Sequence, residues 1–333
     1  MKKKIFITGG AGYCGSKLVP DLLKKGYLVT IYDILYFGVS FLPKHSNLKV
    51  IQGDIRDNKK IQKSCEEHDI FINLACISND ASFELDEKLS TSINLEAFEP
   101  MVIAAKKSKI KRFIYASSSS VYGVSEKKDV KEDHPLVPLT LYNKYKGMCE
   151  PILFKYTDSS FEGVIFRPAT VCGYAPRLRL DLSVNILTNH AVCNNLIKVF
   201  GGEQLRPNLH VKDYCDAVIL LMEAESNKIK NEIFNIGYEN MSIKEIALKV
   251  KDMVQKKFPE KDEIRIETFK SEDGRSYHIN SDKIKNILNF KPKYNIEYAV
   301  NELCDYFKNG IIKNSFQNDI FYNVRTLKNS NAK

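Results

Sequence analysis

No stretch of the 333 residues approaches the length of a membrane span. The apolar run Ile5-Phe6-Ile7 behind Lys2-Lys3-Lys4 breaks at glycines, too soon for the apolar part of a secretory leader. Internal repeats and low-complexity tracts are missing, which argues against a solenoid or a disordered chain. The eight cysteines (Cys14, Cys65, Cys76, Cys149, Cys172, Cys193, Cys215, Cys304) contain no C-x-x-C pair and no histidine partners at zinc spacing. No metal site and no disulfide framework is therefore expected. They read as small buried hydrophobes in a reducing compartment, which places the protein in the cytoplasm. Acid is in short supply: 50 Lys and Arg face 41 Asp and Glu, a formal net charge of +9. The lysines are spread among acids and the runs are short, so the excess reads as a solvated exterior biased toward small anions, not as a nucleic-acid surface.

What is present is an ordinary globular balance, 44% hydrophobic and 27% charged, on a chain long enough for one large domain or two unequal ones. Short β-branched runs alternate with helical patterns through the first half, which predicts parallel strands joined by crossover helices. Strands are expected at about 4–8, 28–33, 48–52, 69–75, 111–117 and 161–167, and helices near 13–26, 57–67, 85–107 and 140–157. After Arg167-Pro168 the rhythm changes to a helix near 181–196, short strands near 197–200 and 232–236, and helices at about 211–225, 242–256, 281–288 and 295–308. Turn signals at Gly201-Gly202, Arg206-Pro207 and Asp273-Gly274-Arg275 mark loops at the edge of a cleft. The expected fold is α/β: a Rossmann-type doubly wound parallel sheet over 1–167, a smaller mixed α/β lobe over 168–310, and an arm over the surface at 311–333.

Ile5-Phe6-Ile7-Thr8-Gly9-Gly10-Ala11-Gly12-Tyr13-Cys14-Gly15 runs from a strand through four glycines into a helix. Such a turn lets backbone approach a pyrophosphate, whose charge is met by free N–H groups and the positive end of the helix dipole. Gly9, Gly12, Tyr13 and Cys14 are the candidate contacts. The second strand ends in Asp33, about 20 residues beyond the glycines, where a carboxylate accepts both adenosine ribose hydroxyls and repels a 2′-phosphate. The cofactor is therefore expected to be NAD rather than NADP. Asp54 and Ile55 are candidates for the adenine edge, and Leu74 and Ala75 for the wall beside the cofactor.

Tyr142 and Lys146 stand four apart on a segment that can be helical, so they share a face. An adjacent ammonium would lower the phenol from about 10 toward neutral pH and make Tyr142 a general base. Tyr115-Ala116-Ser117-Ser118-Ser119-Ser120-Val121-Tyr122-Gly123 ends the fifth strand with four serines, where ligands gather in open parallel sheets.

The order of these motifs resembles the extended short-chain dehydrogenase/reductase family, in particular its nucleotide-sugar epimerases, dehydratases and dehydrogenases. It rests on T-G-G-A-G-Y-x-G-S at Thr8–Ser16, S-S-S-S-V-Y-G at Ser117–Gly123, Y-x-x-x-K at Tyr142–Lys146 and R-P at Arg167–Pro168, and spans roughly 4–308. The resemblance implies that Ser118 is the catalytic hydroxyl and that Lys146 also holds the nicotinamide ribose. Hydride then passes from a sugar carbon to the nicotinamide as Tyr142 takes the hydroxyl proton. It implies that Arg206 and Arg275 grip the substrate's diphosphate; Asn185, Ser78, Asn79 and Ser119 are further substrate candidates. Cys14 and Cys172 stand where the family usually has larger residues, and Pro100 interrupts a helical pattern near Asn94.

The activity this implies is oxidation at C4 of a nucleoside-diphosphate sugar, by a 4-epimerase or a 4-dehydrogenase, in a homodimer. A 4-keto reductase is an alternative. So is a 4,6-dehydratase, though Ser119 and Ser120 occupy the positions where such enzymes carry an acid pair. A catalytically silent NAD-bound sensor or scaffold is the non-enzyme reading, and the intact Ser/Tyr/Lys set argues against it.

Overall fold

The computed structural model describes residues 2–125, 127, 129–271 and 276–330. The first half alternates as expected: β1 (Lys4–Thr8), α1 (Tyr13–Lys24), β2 (Leu28–Asp33), β3 (Leu48–Gln52), α2 (Asn58–Cys65) and β4 (Ile70–Asn73). Two short helices follow, α3 (Asp80–Phe83) and α4 (Glu87–Thr91), then α5 (Phe98–Lys107), β5 (Arg112–Ala116), α6 (Leu141–Lys155) and β6 (Glu162–Pro168). The chain continues through β7 (Thr170–Cys172), α7 (Ser183–Asn194), β8 (Leu196–Phe200), β9 (Leu205–His210), α8 (Val211–Glu223), α9 (Ser226–Ile229) and β10 (Glu232–Ile236). It ends with β11 (Glu239–Ser242), α10 (Ile243–Lys257), β12 (Arg265–Phe269), α11 (Asp282–Leu288), α12 (Ile296–Lys308) and α13 (Asn323–Asn329).

Seven parallel strands form the main sheet in the order β10-β6-β5-β4-β1-β2-β3. Its inner strands are buried on both faces, as near-continuous apolar runs require. Ile5, Ile7, Ile31 and Ile72 face Leu18 and Leu22 of α1 and Val218 and Leu221 of α8. On the other face, Phe6, Phe71 and Phe113 meet α2, α5 and α6 through Ile61, Val102 and Leu153. Phe71 and Phe113 stack with centroids 4.7 Å apart, and losing either ring would cost about 3–5 kcal/mol. The chain reverses direction across the sheet between β1 and β4, so the crevice outside their C-terminal ends is the natural ligand site. Two small sheets, β11-β9-β7 and β12-β8, flank it, with α7, α10 and α12 packed into a core of their own.

Three sequence expectations need correction. The helix expected over 85–107 is broken: α4 passes through a π-helical turn at Ser92–Glu96 into α5. Pro100 is the third residue of α5, directly after the π-helical turn, where the chain has already left the regular α-helical ladder. Arg206-Pro207 is strand, not loop. Pro207 pairs only with Asn240 of β11, because the ladder to β7 begins at Asn208, so its absent donor breaks no bond. The strand at 232–236 belongs to the large sheet as its edge, pairing with β6. The tail over 311–330 is partly exposed and partly packed down: Ile312, Tyr322 and Leu327 are buried, and Asn323 reaches the central cavity.

Candidate active site

A cavity of about 1050 Å³ opens at the C-terminal ends of the sheet strands. Gly9, with φ +72°, turns so tightly against β4 that an added Cβ would lie 2.6 Å from the Ala75 nitrogen. Gly12 precedes α1 and borders the cavity; a Cβ there would meet only the Gly9 carbonyl, at 3.3 Å. No side chain caps α1 and its first turn holds no acid, so its amide groups and dipole are turned toward an anion. Tyr13 and Cys14, the first residues of α1, line the same wall. Asp33 emerges from β2 and fixes the turn, its two oxygens accepting from the Ala11 N–H at 2.9 Å and the Leu35 N–H at 2.8 Å. Burial raises this carboxyl, while those bonds and Arg177 hold it down. Each oxygen keeps lone pairs for a further donor. Asp54 and Ile55 after β3, and Leu74 and Ala75 after β4, border the cavity as well; the Asp54 carboxylate is clamped by Arg56 at 2.5 Å.

Ser118, Tyr142 and Lys146 line this cavity together. Thr140 caps α6 and accepts from the Asn143 N–H, which fixes the helix start at Leu141 and puts Tyr142 in its first turn. Lys146 is buried and donates to the Ala116 carbonyl at 2.8 Å. Here the structure departs from the expected pKa effect. Burial, reinforced by Cys76 and Asp80, holds the Tyr142 phenol well above its ordinary value, and the cation that opposes this is Arg179. Ser117, the first of the run, is spent on structure: it donates to Glu150 at 2.7 Å, and Glu150 pairs with Arg167 at 2.6 Å in a buried ion pair. Val121 and Tyr122 are buried, so the serine run is anchored at both ends.

Ser78, Asn79, Ser119 and Arg206 also border the cavity. Asn185 does not: it is buried in α7 and spends its amide on the Gly173 N–H and the Arg179 carbonyl, shaping the loop before α7. Arg275 lies outside the described residues.

Residues 5–237, more than two thirds of the chain, match the model of the "NAD dependent epimerase/dehydratase family". The chain belongs to this family. It is 31% identical, over 74% of its length and 79% of the relative's, to UDP-N-acetyl-alpha-D-glucosaminuronate decarboxylase of Bacillus cytotoxicus. It is 28% identical to UDP-glucose 4-epimerase of Lactobacillus helveticus, over 87% of this chain and 92% of that one. Among solved structures, UDP-glucuronic acid 4-epimerase of Bacillus cereus, in complex with UDP-glucuronic acid and NAD, superposes with a TM-score of 0.81 at 27% identity, covering 92% of this chain and 99% of that one.

NAD, the cofactor read from Asp33, is the cofactor of the epimerase/dehydratase family. The uncapped start of α1 and the bare Gly12 suit its pyrophosphate. The cavity of this family member also contains residues that motif reading missed. Pro176-Arg177-Leu178-Arg179-Leu180-Asp181 places two buried guanidinium groups on one loop. Arg177 lies 3.6 Å over the Phe37 ring and donates to Asn323 at 2.6 Å; burial, with Arg179 nearby, pulls it down to about 9. Arg179 pairs with Asp181 at 2.8 Å and donates to Ser78 at 3.2 Å. Nε of Arg177 and Nη2 of Arg179 find no protein acceptor among the described residues. The R-x-R-x-D spacing was the available signal. Asn323, 245 residues from its partner Ser78, had none.

Proposed function

We propose that this chain oxidises the C4 carbinol of a nucleoside-diphosphate sugar, as a 4-epimerase or a 4-dehydrogenase. The observation that carries this reading is the convergence of Ser118, Tyr142 and Lys146 on the cavity that also holds the Gly9–Gly12 turn and Asp33. Gly9, Gly12, Tyr13 and Cys14 would hold the pyrophosphate, Asp33 the adenosine ribose, Asp54 and Ile55 the adenine edge, and Leu74 and Ala75 the adjoining wall. Lys146 would hold the nicotinamide ribose. NAD, when bound, supplies the hydride acceptor and a positively charged ring.

Tyr142 takes the carbinol proton as the sugar loses hydride, and returns it when the ketone is reduced. Ser118 hydrogen-bonds the same oxygen. Arg179 opposes the burial that otherwise keeps the phenol protonated. Arg206 grips the diphosphate, with Arg275 assigned the same role, and Ser78, Asn79 and Ser119 border the sugar. Ser119 and Ser120 carry no carboxylate, so elimination of water lacks its acid and base at those positions. Eight free thiols suit a reducing cytoplasm.

Bound NAD should be measured on the purified protein, and a panel of UDP-, GDP-, CDP- and dTDP-sugars offered with added NAD. A 4-epimer without NADH identifies the epimerase; NADH or a keto sugar identifies the dehydrogenase. Tyr142→Phe should cost at least about 100-fold in turnover of any active sugar. Unchanged turnover would sink the mechanism. The exposed Leu141 and Met148 on α6 support pairing of α5 and α6 with a second copy. Sedimentation should give a two-chain particle, and a single-chain particle would count against that pairing.

A further inference from the structure

The serine run does more than supply Ser118. Ser120 donates to Asn143 Oδ1 at 2.5 Å, and Ser118 and Ser120 share a proton contact at 2.7 Å. An amide oxygen only accepts, and a serine has one hydroxyl proton, so Ser120 has nothing left to give Ser118. Ser118 must be the donor in the second contact. The Ser120 N–H, 3.2 Å away, approaches Ser118 Oγ as a further donor. Ser118 thereby has its proton turned to Ser120 and only acceptor capacity left for a ligand. Such a hydroxyl has no proton to offer a ketone, and toward a carbinol it competes with Tyr142 for the single hydroxyl proton.

Asn143 lies beside Tyr142 in the first turn of α6, fully buried, and borders the cavity. Its Nδ2 has no partner among the described residues, so the orientation that satisfies Ser120 leaves a buried donor unpaired. Turning the amide over exchanges the two ends. Nδ2 would then donate to Ser120, Ser120 to Ser118, and Ser118 would offer its proton to the cavity.

We propose that Asn143, acting through Ser120, is a positioning residue that sets whether Ser118 donates to the reacting sugar oxygen or has its proton turned away from it. This rests on the reading of Ser118 and Tyr142 given above. Both positions are ones where an acidic substitute would fix one polarity, whereas an amide and a hydroxyl can reverse. A reaction that passes through carbinol and ketone on the same site needs the donating state for both, because the carbinol's own proton goes to Tyr142.

The test is a double-mutant cycle on the NAD-loaded protein with whichever sugar nucleotide the panel shows to be active. Ser120→Ala should lower kcat about tenfold while leaving KM for the sugar within about twofold, because the contact is to Ser118 and not to the substrate. Ser120→Thr, which keeps the hydroxyl, should recover to within about threefold of the parent. Asn143→Ala combined with Ser120→Ala should be no slower than the worse single variant, since both cut one chain. Thermal melting reports folding; if Asn143→Ala does not fold, Ser120→Ala and Ser120→Thr still decide. Full activity in Ser120→Ala beside an inactive Tyr142→Phe would overturn the relay and leave the proposed reaction standing, as would losses that simply multiply. An active Tyr142→Phe would remove the reaction and the relay together.

Discussion

At the scale of single residues, the two cavity glycines should fail in different ways. An alanine at Gly9 meets the Ala75 backbone at 2.6–2.7 Å and is forced to a positive φ, so Gly9→Ala should lose about 1–3 kcal/mol of stability as well as NAD. Gly12→Ala has room apart from the Gly9 carbonyl at 3.3 Å, so its melting should stay near the parent's while NAD affinity falls. Parallel melting and NAD titrations separate the two, and equal melting losses would refute the distinction. Arg179 invites a second test. It is the cation that opposes the rise of the Tyr142 phenol, so Arg179→Met should raise that phenol further. Less phenolate is then present at any given pH, and the ascending limb of kcat against pH should move to higher pH. A limb that stays put would show that Arg179 does not act on Tyr142.

At the scale of elements, periodicity predicted the six strands of the first half because each is a short β-branched or apolar run flanked by turn residues, the inner ones buried on both faces. Its failures share one cause: the deciding contact comes from far along the chain. Nothing local at Leu205–His210 announces a strand, because its partners are β11 and β7 and its Pro207 reads as a turn. Residues that border the cavity were legible where a motif ties them to an element end, as at Gly9, Gly12, Asp33 and Tyr142. They were hidden where a distant segment completes the wall. α13 is the clearest instance: Asn323 accepts from Arg177, donates to Ser78 at 2.8 Å, and takes Asp181 as acceptor for its N–H at 3.0 Å. Removing the chain after Gln317 should therefore release NAD faster without unfolding the sheet, whose core, among the described residues, owes only Leu327 to this segment. Fluorescence displacement of NADH from the truncated and full-length proteins would measure this, and equal release rates would count against it.

At the scale of the whole molecule, Glu302 joins the smaller lobe to the large sheet. It sits on α12, yet accepts from Lys212 at 2.5 Å, from the Tyr174 N–H at 2.9 Å, and pairs with His210 at 3.0 Å. His210 and Lys212 begin α8, whose other face packs on α1 and the sheet. Burial alone would raise this carboxyl, but His210 and Lys212 outweigh it and hold it at about 2, against 4.5 for a free glutamate. A carboxyl lowered by folding stabilises the native state fully above its unfolded value and loses that contribution as pH falls toward the folded one. Glu302 should therefore support the junction at pH 7 and weaken progressively from about pH 4.5 downward, the value of the free group. Glu302→Gln keeps the shape and removes the charge, leaving Lys212 and His210 without their carboxylate. It should cost on the order of 2 kcal/mol at pH 7, because one partner of a largely buried pair is stranded. Urea unfolding of parent and variant from pH 7 to pH 3.5 would show the gap between their midpoints narrowing as the Glu302 carboxyl of the parent's unfolded chain takes up its proton. A gap that stays constant across that range would mean that Glu302 holds the lobes together by shape and not by charge.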